Sequence, residues 1–78
     1  MVEPGSIEQS IRTVLPVTHI EVTGDGAHFE AIIVSPSFAG LTRVRQHQLV
    51  YEALGGRMRE EIHALSMKTY SPEEWASR

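Results

Sequence analysis

Val17-Thr18-His19-Ile20-Glu21-Val22-Thr23-Gly24-Asp25-Gly26-Ala27-His28-Phe29-Glu30-Ala31-Ile32-Ile33-Val34-Ser35 decides the fold. From Val17 to Thr23 the chain alternates, with Thr18, Ile20 and Val22 on one face and His19 and Glu21 on the other. That is the two-residue period of a strand. Gly24-Asp25-Gly26 supplies the positive-φ residues of a tight connection, and His28 to Ser35 alternates again: Phe29, Ala31 and Ile33 against His28, Glu30, Ile32 and Val34. The two runs read as a β-hairpin.

Outward from the hairpin the period changes to that of helices. Upstream, Pro4-Gly5 breaks structure, and Ser6 with Gln9 forms a capping-box pattern opening a helix with Ile7, Ile11, Val14 and Leu15 on one stripe. The helix ends before Pro16. Downstream, Thr42 is an N-cap candidate for a long helix from Arg43 to Leu54. There Val44, Leu49, Val50, Ala53 and Leu54 fall near one side, and Arg43, Arg45, Gln46, Gln48 and Glu52 largely on the other. Gly55-Gly56 stops it, Arg57 to Glu61 allows a further turn or two, and a last strand runs from Ile62 or His63 to about Tyr70, with Leu65 and Met67 on the side of His63. Ser71-Pro72-Glu73-Glu74 then places a cap, an N1 proline and two acids at the positive end of a short helix holding Trp75. The order is α-β-β-α-α-β, an α+β domain whose last strand can cross over and pair in parallel with a hairpin strand.

Composition narrows the function. At 78 residues the chain reads as one domain spanning 1–78, too small for an enclosed active site. A net charge of -3 opposes a polyphosphate partner unless basic residues cluster. With no cysteine, disulfides and a self-contained zinc ribbon are excluded, and imidazoles are the best remaining ligands for a soft or borderline metal. Metal chemistry would therefore be shared with a partner that brings sulfur. Met1-Val2-Glu3-Pro4-Gly5 lacks the basic and apolar regions of a signal peptide, and no apolar run approaches a membrane span, so the expected location is cytoplasmic, away from the membrane. No Ser/His/Asp order, HExxH or phosphate loop is present, and no catalysis is expected.

His28-Phe29-Glu30-Ala31-Ile32-Ile33-Val34-Ser35, Phe38-Ala39-Gly40, Arg43-Val44-Arg45-Gln46-His47-Gln48-Leu49-Val50-Tyr51 and His63-Ala64-Leu65-Ser66-Met67-Lys68-Thr69 together resemble the BolA family. Gly24 to Phe29 and Thr69 to Trp75 look most like its IbaG (YrbA) branch. The resemblance covers nearly the whole chain. It implies a class II KH-like fold, with a three-stranded mixed sheet and helices packed on one face. It also implies one of two activities: pairing with a monothiol glutaredoxin around a bridging [2Fe-2S] cluster, or DNA-binding transcription regulation in stress response and cell shape.

For the cluster, the resemblance implies that the glutaredoxin cysteine and glutathione supply sulfur to one iron, while His63 matches the family histidine that ligates the other. Histidines can replace two thiolates on one iron of such a cluster. The family's second ligand comes from the loop joining the first two strands, which here holds neither cysteine nor histidine. The adjoining His28 is the best substitute, and Asp25 a poorer one, because carboxylate oxygen suits harder cations. His47 and His19 read as solvated. For nucleic acid the candidates are Arg43, Arg45, Arg57, Arg59 and Lys68. Against them stand Glu60 and Glu61, and the lack of a Gly-x-x-Gly clamp, since Gly55-Gly56-Arg57-Met58 is not one. Alone, the chain would be a monomer or a weak homodimer.

Overall fold

The computed structural model describes residues 2–78. Its elements are α1 (Pro4–Val14), β1 (His19–Gly24), β2 (His28–Val34), a 3-10 turn (Pro36–Phe38), α2 (Arg43–Leu54), α3 (Arg57–Glu60), β3 (Ala64–Tyr70) and α4 (Pro72–Ser77). The sheet is mixed, in the order β1-β2-β3, with β1 antiparallel and β3 parallel to the central β2. The fold is therefore α+β with the expected crossover. The register pairs Ile20 with Ile33 and Phe29 with Leu65, putting the alternating apolar residues of all three strands on one face. Ile7, Ile11, Phe29, Ile33, Phe38 and Val50 are buried there, where α1 and α2 cover the sheet. This burial is the main stabilising contribution in a domain of this size.

Several boundaries differ from the sequence expectation for local reasons. Helix α1 begins at Pro4, and its N-cap is Glu3, without a side-chain cap bond. The fixed φ of proline suits the first helical position, which places Ser6 inside the first turn instead of ahead of it. Strand β1 starts at His19 rather than Val17, and β3 at Ala64, after the buried Ile62. The caps of α2 and α4 stand as expected: the Thr42 side chain accepts from the Arg45 N–H, and Ser71 with Glu74 forms a complete capping box. Helix α4 folds over the end of the sheet's second face. Trp75 stacks on His19 with ring centroids 4.9 Å apart, so His19, paired also with Glu21 at 2.6 Å, is not simply solvated.

The larger correction is on α2. Val44, expected on the apolar side, is 66% exposed, whereas Gln46, expected on the polar side, is buried. Gln46 lies one and two turns before the buried Val50 and Leu54, at the helical spacing of an inward stripe. Its Nε2 donates to the Phe38 carbonyl at 3.1 Å and the Leu41 carbonyl at 3.2 Å. Its Oε1 accepts from the Thr69 hydroxyl at 2.7 Å and from Arg43 at 3.1 Å. All four hydrogen-bonding valences of the amide are filled.

Replacing Gln46 by leucine would remove four hydrogen bonds and leave the Leu41 carbonyl and the buried Thr69 hydroxyl without this partner, while the Phe38 carbonyl keeps the Leu41 N–H and Arg43 keeps the Thr69 carbonyl. The expected cost is about 2–4 kcal/mol. In a domain of this size, thermal unfolding followed by circular dichroism should show Tm lowered by roughly 10 °C or more. Gln46→Glu should also destabilise at neutral pH, because the carboxylate cannot donate to Phe38 and Leu41. Unchanged melting of both variants would overturn this assignment.

Candidate functional site

The hairpin loop and the start of β3 meet at one edge of the sheet. His28 is the first residue of β2 and pairs with Ala64, so the residue before Ala64, His63, comes alongside. The Ala64 N–H donates to the Ala27 carbonyl at 3.1 Å, tying the loop to the strand entry. The His28 and His63 rings stand edge to face with centroids 6.3 Å apart, both exposed. Parallel pairing thus joins two histidines separated by half the chain.

Asp25 shapes the loop. Its Oδ1 accepts from the N–H groups of Ala27 at 2.9 Å and His28 at 2.8 Å, an Asx turn. These bonds hold the Asp25 carboxyl below the usual carboxylate range, with the His28 amide making the largest contribution. Gly26 adopts φ 98°, the left-handed conformation the turn requires. Gly24 is needed for space instead: a Cβ there would collide with Phe29 Cδ1 and sit 2.7 Å from the His28 carbonyl oxygen.

A neutral imidazole offers one nitrogen to a metal, so His28 and His63 present two donors at an open edge. Among the described residues no three His, Cys, Asp or Glu side chains group to hold a metal ion. Two imidazole nitrogens could supply at most half of a tetrahedral coordination sphere.

The basic candidates divide. Arg57 donates to the Ser6 carbonyl at 3.1 Å and the Ser10 hydroxyl at 2.7 Å and pairs with Glu61, pinning α3 to α1. Arg43 donates to the Thr69 carbonyl as well as to Gln46. Arg45 is exposed and bonded to Gln48, and Arg59 lines a shallow hollow with Glu60, Glu61 and His63. Lys68 lies on β3 and lines a second hollow with Arg43, His47, Met67 and Tyr70. His47, read as solvated, is half-buried, and its Nε2 is buried with no hydrogen-bond partner among the described residues. Burial first, and the Arg43 charge second, push its pKa down. Its position one residue after the buried Gln46 is the signal that places it at the helix–strand seam.

Residues 9–74 match the family model of BolA-like proteins. The chain is 39% identical over 75 residues to acid stress protein IbaG of Escherichia coli K12, covering 95% of this chain and 89% of that one. A bolA protein homologue from Coxiella burnetii has 48% identity and a TM-score of 0.84, covering 97% and 99% of the two chains. The DNA-binding transcriptional regulator BolA of Haemophilus influenzae is 35% identical over 60 residues, 77% of this chain and 58% of the regulator. No helix among the described residues is long and apolar enough to cross a membrane.

Gly24→Ala should destabilise by about 1–3 kcal/mol, as overpacking does, and perturb the His28 amide resonance, whereas Gly56→Ala, whose Cβ meets open space, should stay within about 0.5 kcal/mol of the parent. Equal denaturation midpoints for the two would remove the steric role of Gly24. His47 gives a pH test. Its folded pKa lies below the unfolded value, so the unfolded chain takes up the proton first. Its contribution to stability is complete above the ordinary imidazole range and declines as pH falls from about 7 toward 5. Urea melts across that range should show a shallower decline in His47→Gln than in the parent; parallel curves would contradict the assignment.

Proposed function

The chain belongs to the BolA-like family, on its IbaG branch, and from that membership we propose that it is a non-catalytic cytoplasmic adaptor that pairs with a monothiol glutaredoxin and shares a [2Fe-2S] cluster in iron–sulfur trafficking or iron and stress regulation. The observation that carries this reading is the convergence of His28 and His63 at one exposed edge. Two imidazole nitrogens are what a cysteine-free chain can offer to one iron, and the glutaredoxin cysteine with glutathione supplies the sulfur for the other. The cluster is cargo, and it brings the electron-transfer and sulfide chemistry.

The residues of this chain do the positioning. The Asx turn at Asp25 fixes the loop, the parallel register aligns His28 with the strand entry, and exposure of both rings admits a partner. Asp25 is the weaker donor, since one carboxylate oxygen already accepts two amide hydrogens. The second reading, a DNA-binding regulator, is supported by the name of the Haemophilus influenzae relative and would use Arg43, Arg45, Arg57, Arg59 and Lys68. Arg57 is committed to internal bonds with Ser6, Ser10 and Glu61, and Arg59 lies beside Glu60 and Glu61, which weighs toward the adaptor.

Adding the protein to cluster-loaded, glutathione-bound monothiol glutaredoxin and following visible circular dichroism tests the proposal. The expected result is a new spectrum that His63→Ala abolishes and His28→Ala weakens. An unchanged spectrum with the parent protein would reject cluster sharing. Salt-dependent retardation of DNA, lost on Arg43→Ala with Arg45→Ala, would then favour the regulator.

A further inference from the structure

At the far end of β3 from the histidine pair, α2 and β3 leave a hollow of about 330 Å³ lined by Arg43, His47, Met67, Lys68 and Tyr70. We propose that this hollow is a binding site for a small phosphate-bearing anion, with Arg43, Lys68 and His47 as its donors and the Tyr70 ring as its wall.

Three observations point there. First, the lining contains a guanidinium, an ammonium and an imidazole but no carboxylate, in a chain whose net charge is -3. A local excess of donors in an acidic protein attracts an anion that the rest of the surface repels. Second, Arg43 is already oriented. It donates to the Thr69 carbonyl and to Gln46, and its guanidinium lies 5.8 Å from the Tyr70 ring centroid, so the fork is held in place before a ligand arrives. Lys68 is exposed, and no carboxylate lies within ion-pair distance of it among the described residues. Third, His47 Nε2 is buried without a partner. An orphaned buried nitrogen is satisfied by a water or by a ligand, and beside two cations an oxyanion is the better match.

The neighbouring carboxylates stand outside the hollow itself. Glu74 feels the Arg43 charge, but its Oε1 accepts from the Ser71 N–H at 2.9 Å in the α4 capping box. Glu21 and Glu30 line a separate hollow that also touches Lys68, but neither is within ion-pair distance of it. Phosphate suits the donor set because its tetrahedral oxygens accept simultaneously from a fork, a point charge and an imidazole N–H. The site is separate from the His28–His63 edge and stands or falls independently of cluster sharing.

The test is a titration of the full chain with inorganic phosphate at constant ionic strength, balanced with chloride and followed by nitrogen–proton NMR. Saturable shifts are expected at the His47 ring, the Arg43 side chain and the Lys68 amide. Lys68→Ala, an exposed substitution that leaves the fold intact, should weaken binding at least fivefold, and His63→Ala should leave it unchanged. Shifts that grow linearly, or that chloride reproduces, would overturn the proposal. So would a single-stranded oligonucleotide that binds where phosphate does not and loses affinity equally with Arg45→Ala and Arg59→Ala, since that pattern describes a diffuse nucleic-acid surface. His47→Gln separates a ligand from a water: unchanged phosphate affinity would remove His47 from the site and overturn the donor set.

Discussion

The buried amide of Gln46 is the constraint on which the rest of the structure depends. One side chain joins the loop after β2, through the Phe38 and Leu41 carbonyls, to the edge strand β3, through Thr69. A hydrocarbon at this position could fill the volume but could not answer two carbonyls and a hydroxyl inside a low-dielectric core. Strand β3 needs that help. Of its residues only Thr69 is fully buried, and that residue is held by a side-chain bond to Gln46 and by the Arg43 bond to its carbonyl. The strand that presents His63 at one end and Lys68 near the other is therefore anchored by these polar contacts as well as by Leu65 and Met67 packed against the core.

Parallel pairing turns that anchor into a site. A hairpin alone would bring His28 only to residues of β1. The crossover through α2 and α3 returns the chain beside β2, and the pairing of His28 with Ala64 brings His63 alongside. A slip of one residue would send every β3 side chain to the opposite face, exposing Leu65 and Met67 and burying Lys68. The hydrophobic register that stabilises the sheet and the register that assembles the histidine pair are the same. Gly24 and the Asp25 turn fix the remaining freedom, where the loop must close without a side chain striking Phe29.

Local rules made much of this legible. Alternation in β1 and β2, the caps at Thr42 and Ser71 and the glycine stop at Gly55 are short-range signals, and their elements lie close to where those signals point. The sequence places His28 beside the hairpin loop and His63 at the entry of the last strand, and the register brings the two to one edge. What local reading missed was polar and long-range. Gln46 looked solvent-facing because residue type outweighed its spacing to Val50 and Leu54. His47 looked solvated because its strand neighbours are twenty or more residues away. The stack of Trp75 on His19 joins the two ends of the chain, and no period within either segment encodes it.

The two ends of β3 also bear on whether its two candidate sites can communicate. His63 and Lys68 are five residues apart, so at about 3.3 Å per residue they stand roughly 16 Å from one another along the strand. That exceeds the Debye length of about 8 Å at physiological ionic strength, and charge arriving at one end is largely screened at the other. Direct electrostatic coupling is therefore negligible. The remaining route is mechanical, through the register of β3 against β2 and the Gln46–Thr69 contact that holds it. That register cannot move by a fraction of a residue without losing its ladder bonds, so the strand transmits either nothing or a cooperative detachment. A rigid strand of this kind suits two sites that act separately on one small scaffold.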